Sequence, residues 1–197
     1  NEQRSEFVEL VEADAGVSKI ETAPMLQGMI TKVNGQPAKE VFGDHWALHG
    51  DRGITYSAQP PNGVALTQGE WWAEDYTGPP LMSFTADDAA ELGLVLGDQI
   101  TFNLLGRDIT STITNFRDVE WSGMGINFLM VLNPYALESA PHSHIATVYA
   151  ASGTEGRLLR DVADTFPNIT AIPVGEAINK VTDALNGIAS AIRWGAA

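Results

Sequence analysis

The chain predicts an α+β fold in which a helix-and-strand lobe is interrupted by a smaller β-rich one, and three observations lead there. Two distant segments share one pattern, an amphipathic helix followed by a strand: NEQRSEFVELVEADAG with VSKIETAP, and EGRLLRDVADTFPN with ITAIPV. Between them lies a turn-dense stretch, residues 43–80, rich in Gly, Pro, Asp and Trp. The length of 197 residues suits one ordinary domain or two small ones.

In chain order, Phe7, Leu10 and Val11 form the stripe of the first helix, and Gly16 stands where it would end. VSKIETAP alternates as a strand, and MLQGMITKV gives another that runs into the Asn34-Gly35 turn. By the symmetry of the two units, a further strand is expected before residue 1. Thr85 caps a helix over 86–92 and Gly93 stops it. Ile100, Phe102 and Leu104 alternate before a Gly106-Arg107 turn reverses the chain into Ile109–Phe116. HSHIATVYA is the strand before the second amphipathic helix, whose stripe is Leu158, Leu159, Val162 and Phe166. The lobes then divide as 1–41 with 112–197 for the discontinuous α+β lobe, and 42–111 for the insert. Ile178, Val181, Leu185, Ile188 and Ile192 repeat in steps of three and four, a helix over about 174–194 that either packs on the sheet or continues as a stalk.

Composition limits the chemistry. A formal charge of −14 repels phosphate backbones, so nucleic acid is not an expected partner. Zero cysteines exclude disulfides and thiolate catalysis. No apolar run approaches the ~20 residues of a membrane span. The start NEQRSEF and the end AIRWGAA suggest a fragment excised from a longer chain.

P-loop, dinucleotide, HExxH and nucleophile-elbow patterns are all missing from the sequence, so no catalytic residue and no cofactor is expected. His45/His49 and His142/His144 could each share a face, but they fall in separate lobes, and no metal site is expected from them. Asp87 and Asp88 are explained by the positive end of their helix. Trp71 and Trp72 would point to opposite faces of an extended segment, which makes them a possible substrate or partner surface. FRDVEWSGMGINFLMVLNP, residues 116–134, is dense in charge and aromatics. It suits a joint between lobes, with Arg117, Asp118, Trp121, Asn127 and Phe128 as joint residues and Arg117 in a bidentate carboxylate pair.

The run ADDAAELGLVLGDQITFNLLGRDITSTITNFRDVEWSGMGINFLMVLNPYAL resembles the extracytoplasmic region of the FtsX/MacB superfamily of ABC permeases, closest to its large YbbP-like members. The resemblance rests on Leu92–Asp98, Gly106, Arg117, Val119, Trp121, Asn127, Phe128 and Pro134, with weaker similarity over PMLQGMITKVNG and RGITYSAQPPNGVALTQGEWW. Tyr135 stands where the family has Gly after that proline.

What the resemblance implies is a periplasmic domain of a bacterial inner-membrane permease. It would have a Porter-like split βαβ lobe, an inserted Sabre-like β lobe, and a carboxy-terminal helix entering the membrane. The partner would be a cytoplasmic ABC ATPase subunit, and the domain itself would be non-catalytic. It would couple the ATPase cycle to movement or extraction of a lipid-like or lipoprotein substrate, with hydrophobic cargo or a periplasmic partner protein at its surface. The isolated piece would be a monomer or weak dimer. Two rival readings stand beside this one: a metal-dependent periplasmic hydrolase using the histidine pairs, and a soluble lipid- or peptide-binding protein.

Overall fold

The computed structural model describes residues 2–61, 63–121 and 125–174. The 174–194 helix expected from the sequence lies outside the described residues, apart from its first residue. In chain order the elements are α1 (Glu2–Glu12), β1 (Val17–Val33), β2 (Gln36–Pro37) and α2 (Ala38–Phe42). A short 3-10 turn (Trp46–Leu48), β3 (Arg52–Tyr56), β4 (Leu66–Gly69), β5 (Leu81–Thr85) and α3 (Ala86–Leu92) follow. Then come β6 (Gln99–Leu104), β7 (Arg107–Arg117), β8 (Met130–Leu132), α4 (Pro134–Leu137), β9 (Ser143–Ala150) and α5 (Glu155–Thr165). The strands form one mixed sheet with few helices.

Two compact units divide the chain, one of residues 1–20 with 148–197 and one of residues 21–147. These boundaries differ from 41/42 and 111/112. A cut at 111/112 would sever β7, an unbroken strand paired along its length with β6 and β5.

The larger unit is a closed barrel. Strands β1, β3, β8, β5, β7 and β6 each pair with the next, and β6 returns to β1. The β3–β8 and β5–β7 pairings are parallel and the other four antiparallel. Closure satisfies the edge hydrogen bonds that an open sheet leaves bare. The ring meets itself at Gly28, which pairs with Arg52 on one side and Leu104 on the other. A Cβ there would lie 2.9 Å from Ile54 Cδ1 and 3.0 Å from the Asn103 carbonyl oxygen, so the closing point needs a residue without a side chain. Ile54, Met82, Phe84, Ile100, Phe102 and Met130 fill the interior with no exposed surface. Each such side chain contributes about 1.5–3 kcal/mol by leaving water.

Local signals explain several elements. Asn34 and Gly35, both with positive φ, make the two-residue turn between β1 and β2. Gly93 ends α3 in the left-handed conformation. The turn after β6 falls on Leu105-Gly106, one residue earlier than expected, because Leu104 pairs with Arg107. VSKIETAP and MLQGMITKV form the single strand β1, which runs through Pro24, whose carbonyl accepts from Thr55 Oγ1 at 2.6 Å.

The smaller unit packs α1 and α5 through Val11, Leu158, Val162 and Phe166, all buried, with Phe7 edge-on to Phe166 at 6.1 Å. These are the stripes that the three- and four-residue spacing marks out. The Arg157 guanidinium donates to both oxygens of Asp14 at 2.8 and 2.7 Å. The Gly16 N–H and that guanidinium hold the Asp14 carboxyl below the usual carboxylate range. Gln3 and Asn168 exchange side-chain amide bonds of 2.7 and 3.2 Å.

Candidate functional site

The segment 117–129 builds the strongest candidate, and its foundation is Arg117. This last residue of β7 is 1% exposed. Its guanidinium donates to the Ser83 carbonyl at 2.7 Å, to Ser83 Oγ at 3.2 Å and to the Phe128 carbonyl. The side chain therefore ties the loop before β8 to β5. Burial lowers its pKa to about 10, and the nearby charge of Asp88 pulls it back up. The expected bidentate carboxylate pair is replaced by carbonyl and hydroxyl acceptors. A cation at a strand end saturates its fork of donors this way when backbone oxygens are already aimed at it.

The loop carries the other residues singled out from the sequence. Asp118 is exposed and its N–H donates to the Ala65 carbonyl at 2.9 Å. Asn127 Nδ2 donates to the Glu120 carbonyl at 2.8 Å, clipping the two sides of the loop together. Phe128 is buried, whereas Trp121 is 50% exposed and so does not serve as an apolar anchor. All five lie within the larger unit.

Trp121, Asn127 and Phe128 share a groove of about 400 Å³ with Met25, Trp46, Ile126 and Ile145. Trp46 was not singled out from the sequence, and its position has a clear cause. Arg52, at the start of β3, donates to the carbonyls of Trp46, Ala47 and His49, and its guanidinium lies 4.8 Å from the Trp46 ring centre. The six-residue spacing of Trp46 and Arg52 is a signal only once the intervening turn is known. Two half-exposed indoles thus flank an apolar floor, and Arg52 is the one ionisable residue among the described residues that line it. With Nε and Nη2 of Arg52 already engaged by backbone carbonyls, the arrangement suits apolar contact.

Trp71 and Trp72 lie elsewhere in the unit, and they do not point to opposite faces. Their rings stack at 4.2 Å and their N–H groups donate to Ala58 and Ser57 carbonyls, each at 3.0 Å. Trp72 is buried and Trp71 half-buried, so the pair packs the 57–58 turn. The histidines are engaged one by one. His45 Nδ1 accepts from the Ala47 N–H and its Nε2 faces Glu91 at 3.2 Å. His49 meets Asp44 at 2.7 Å and holds that carboxyl below its usual range. His142 bonds the Ala140 carbonyl and the Tyr56 hydroxyl. Among the described residues no three His, Cys, Asp or Glu gather as a metal site.

Fold and site together define a β-barrel unit with a largely apolar groove. No family model matches the chain. Over 161 residues, 80% of this chain, it is 23% identical to the uncharacterized ABC transporter permease YbbP of Escherichia coli strain K12. That match covers 19% of the permease, so the chain spans about a fifth of its relative. A solved domain described as that of a permease protein from Porphyromonas gingivalis aligns over 80% of this chain and 74% of its own, at 16% identity and a TM-score of 0.37. The resemblance to ABC permeases read from residues 86–137 is thus met by similarity to a permease across most of the chain.

Proposed function

We propose that this chain is a non-catalytic extracytoplasmic domain of an ABC transporter permease, on the periplasmic side of a bacterial inner membrane. The similarity to a permease over four-fifths of the chain carries this reading. Its partner is a cytoplasmic ATPase, whose cycle moves the domain as a body and thereby shifts or extracts a lipid-like or lipoprotein substrate. The smaller unit is the Porter-like lobe and the barrel unit the Sabre-like insert. The cargo-contacting surface is the groove between Trp46 and Trp121, because paired half-exposed indoles over an apolar floor favour aliphatic chains.

A fluorescent fatty-acyl probe tests the groove. Saturable energy transfer from tryptophan to a dansyl-labelled fatty acid is expected, strongly reduced in Trp121→Ala and Trp46→Ala. Transfer that rises linearly without saturating, or is untouched by both variants, would remove the groove from the proposal. A soluble binding protein would show the same transfer, and cross-linking of the full permease from outside intact spheroplasts separates the two.

A further inference from the structure

A second surface, away from the indole groove and independent of the permease reading, lies at the tip of the β6–β7 hairpin. The turn is made by Leu105 and Gly106. Leu105 has φ +49° and is 71% exposed. Both properties are unfavourable for leucine: its Cβ crowds the following carbonyl in the left-handed region, and its side chain stands in water. Turns of this kind are ordinarily built from Asn, Asp or Gly. A strained, exposed leucine where a small polar residue would fold better points to a contact role.

What it contacts is indicated by charge. Beside the tip runs a groove of about 630 Å³, walled by Leu104, Ile109, Ala136 and Pro141 together with Arg107 and Asp108. Asp108 is already balanced: it accepts from Asn103 Nδ2 at 2.8 Å and lies 3.9 Å from Lys32 Nζ. Arg107 has no side-chain hydrogen bond or ion pair among the described residues. It is an open cation next to an exposed leucine on a chain of net charge −14.

We propose that this hairpin tip and groove dock a partner-protein segment that sets a large apolar side chain beside a carboxylate. The apolar side chain packs on Leu105 and Ile109, and the carboxylate pairs with Arg107. A second copy of this chain is the alternative occupant, and sedimentation distinguishes it.

The probes are short fluorescein-labelled peptides of alternating Leu and Asp, Leu and Asn, and Leu and Lys, titrated into the whole 197-residue chain and followed by anisotropy. The Leu–Asp peptide is expected to bind best. Leu105→Asn and Arg107→Glu should each weaken it about tenfold or more, and Arg107→Glu should gain affinity for the Leu–Lys peptide. Asn suits the turn better than leucine does, so a folded Leu105→Asn chain keeps the result clear of misfolding. Absence of Leu–Asp binding, equal binding of all three peptides, or unchanged affinity in both variants would overturn the proposal. So would a dimer that sediments as such in the wild type and is lost in Leu105→Asn.

Discussion

Gln3 and Asn168 are joined side chain to side chain across 165 residues, each amide donating to the other. The bond sets the first turn of α1 beside the residues that follow α5. On the proposed reading of the chain as a permease domain, these are the two segments that would lead toward the membrane.

Arg117 should be the most costly side chain of the 117–129 segment to remove. Arg117→Ala leaves the carbonyls of Ser83 and Phe128 without their donor and opens a void at the barrel wall. A loss of roughly 3–5 kcal/mol in urea unfolding is expected. Arg117→Lys should recover only part of this, because one ammonium cannot reproduce the fork that reaches both carbonyls.

Leu105→Asn should stabilise the chain. Relief of the left-handed leucine and of its exposed side chain is worth about 0.5–1 kcal/mol, seen as a higher melting temperature. A stabilised variant that also loses peptide binding would separate the two roles of this position.

Gly69→Ala should have the opposite effect. Gly69 has φ +75°, and a Cβ there would sit 2.1 Å from the Thr114 carbonyl oxygen, where β4 meets β7. Both strain and overlap act on backbone that cannot swing aside, so a loss of about 3 kcal/mol or more is expected in the same unfolding measurement.

Asp14 gives the smaller unit an acid-sensitive tie. Its folded pKa lies below its unfolded one, so the native state binds fewer protons in the acid range. The stability it supplies is fully present above the ordinary carboxylate pKa and is lost as pH falls through the lowered value. Asp14→Asn should flatten this part of the stability–pH curve below about pH 4 and leave the curve's shape at neutral pH unchanged.

Much of the small unit was legible in the sequence because its determinants are local. Phe7, Leu10 and Val11, and Leu158, Val162 and Phe166, repeat at helical spacing and bury the faces that the spacing marks. Asn34-Gly35 and Gly93 likewise act within a few residues, whereas Thr85 stands at the start of α3 but its hydroxyl donates to Asp88 and makes no cap bond. The barrel was not legible. Its closure depends on the parallel pairings of Ile54 with Met130 and of Phe84 with Phe116, which join strands far apart in sequence and leave no periodic trace. With closure hidden, 42–111 reads as an inserted lobe, although it contributes β3, β5 and β6 to the ring and β4 beside it. The site was legible in part. Arg117, Trp121, Asn127 and Phe128 stand out by chemical density, while Met25 on β1, Ile145 on β9 and Trp46 before β3 join Trp121, Asn127 and Phe128 at the groove through long-range pairing that leaves no local trace.

The central claim, an extracytoplasmic unit with neighbouring membrane connections, meets its most direct test in whole cells. The chain has no cysteine, so Gln3→Cys with Asn168→Cys introduces a unique pair into this region of the full permease. A short bis-maleimide that cannot cross the inner membrane should link the two within one molecule in intact spheroplasts. The account predicts efficient linkage from the outside, and linkage only after lysis, or none at all, would contradict it.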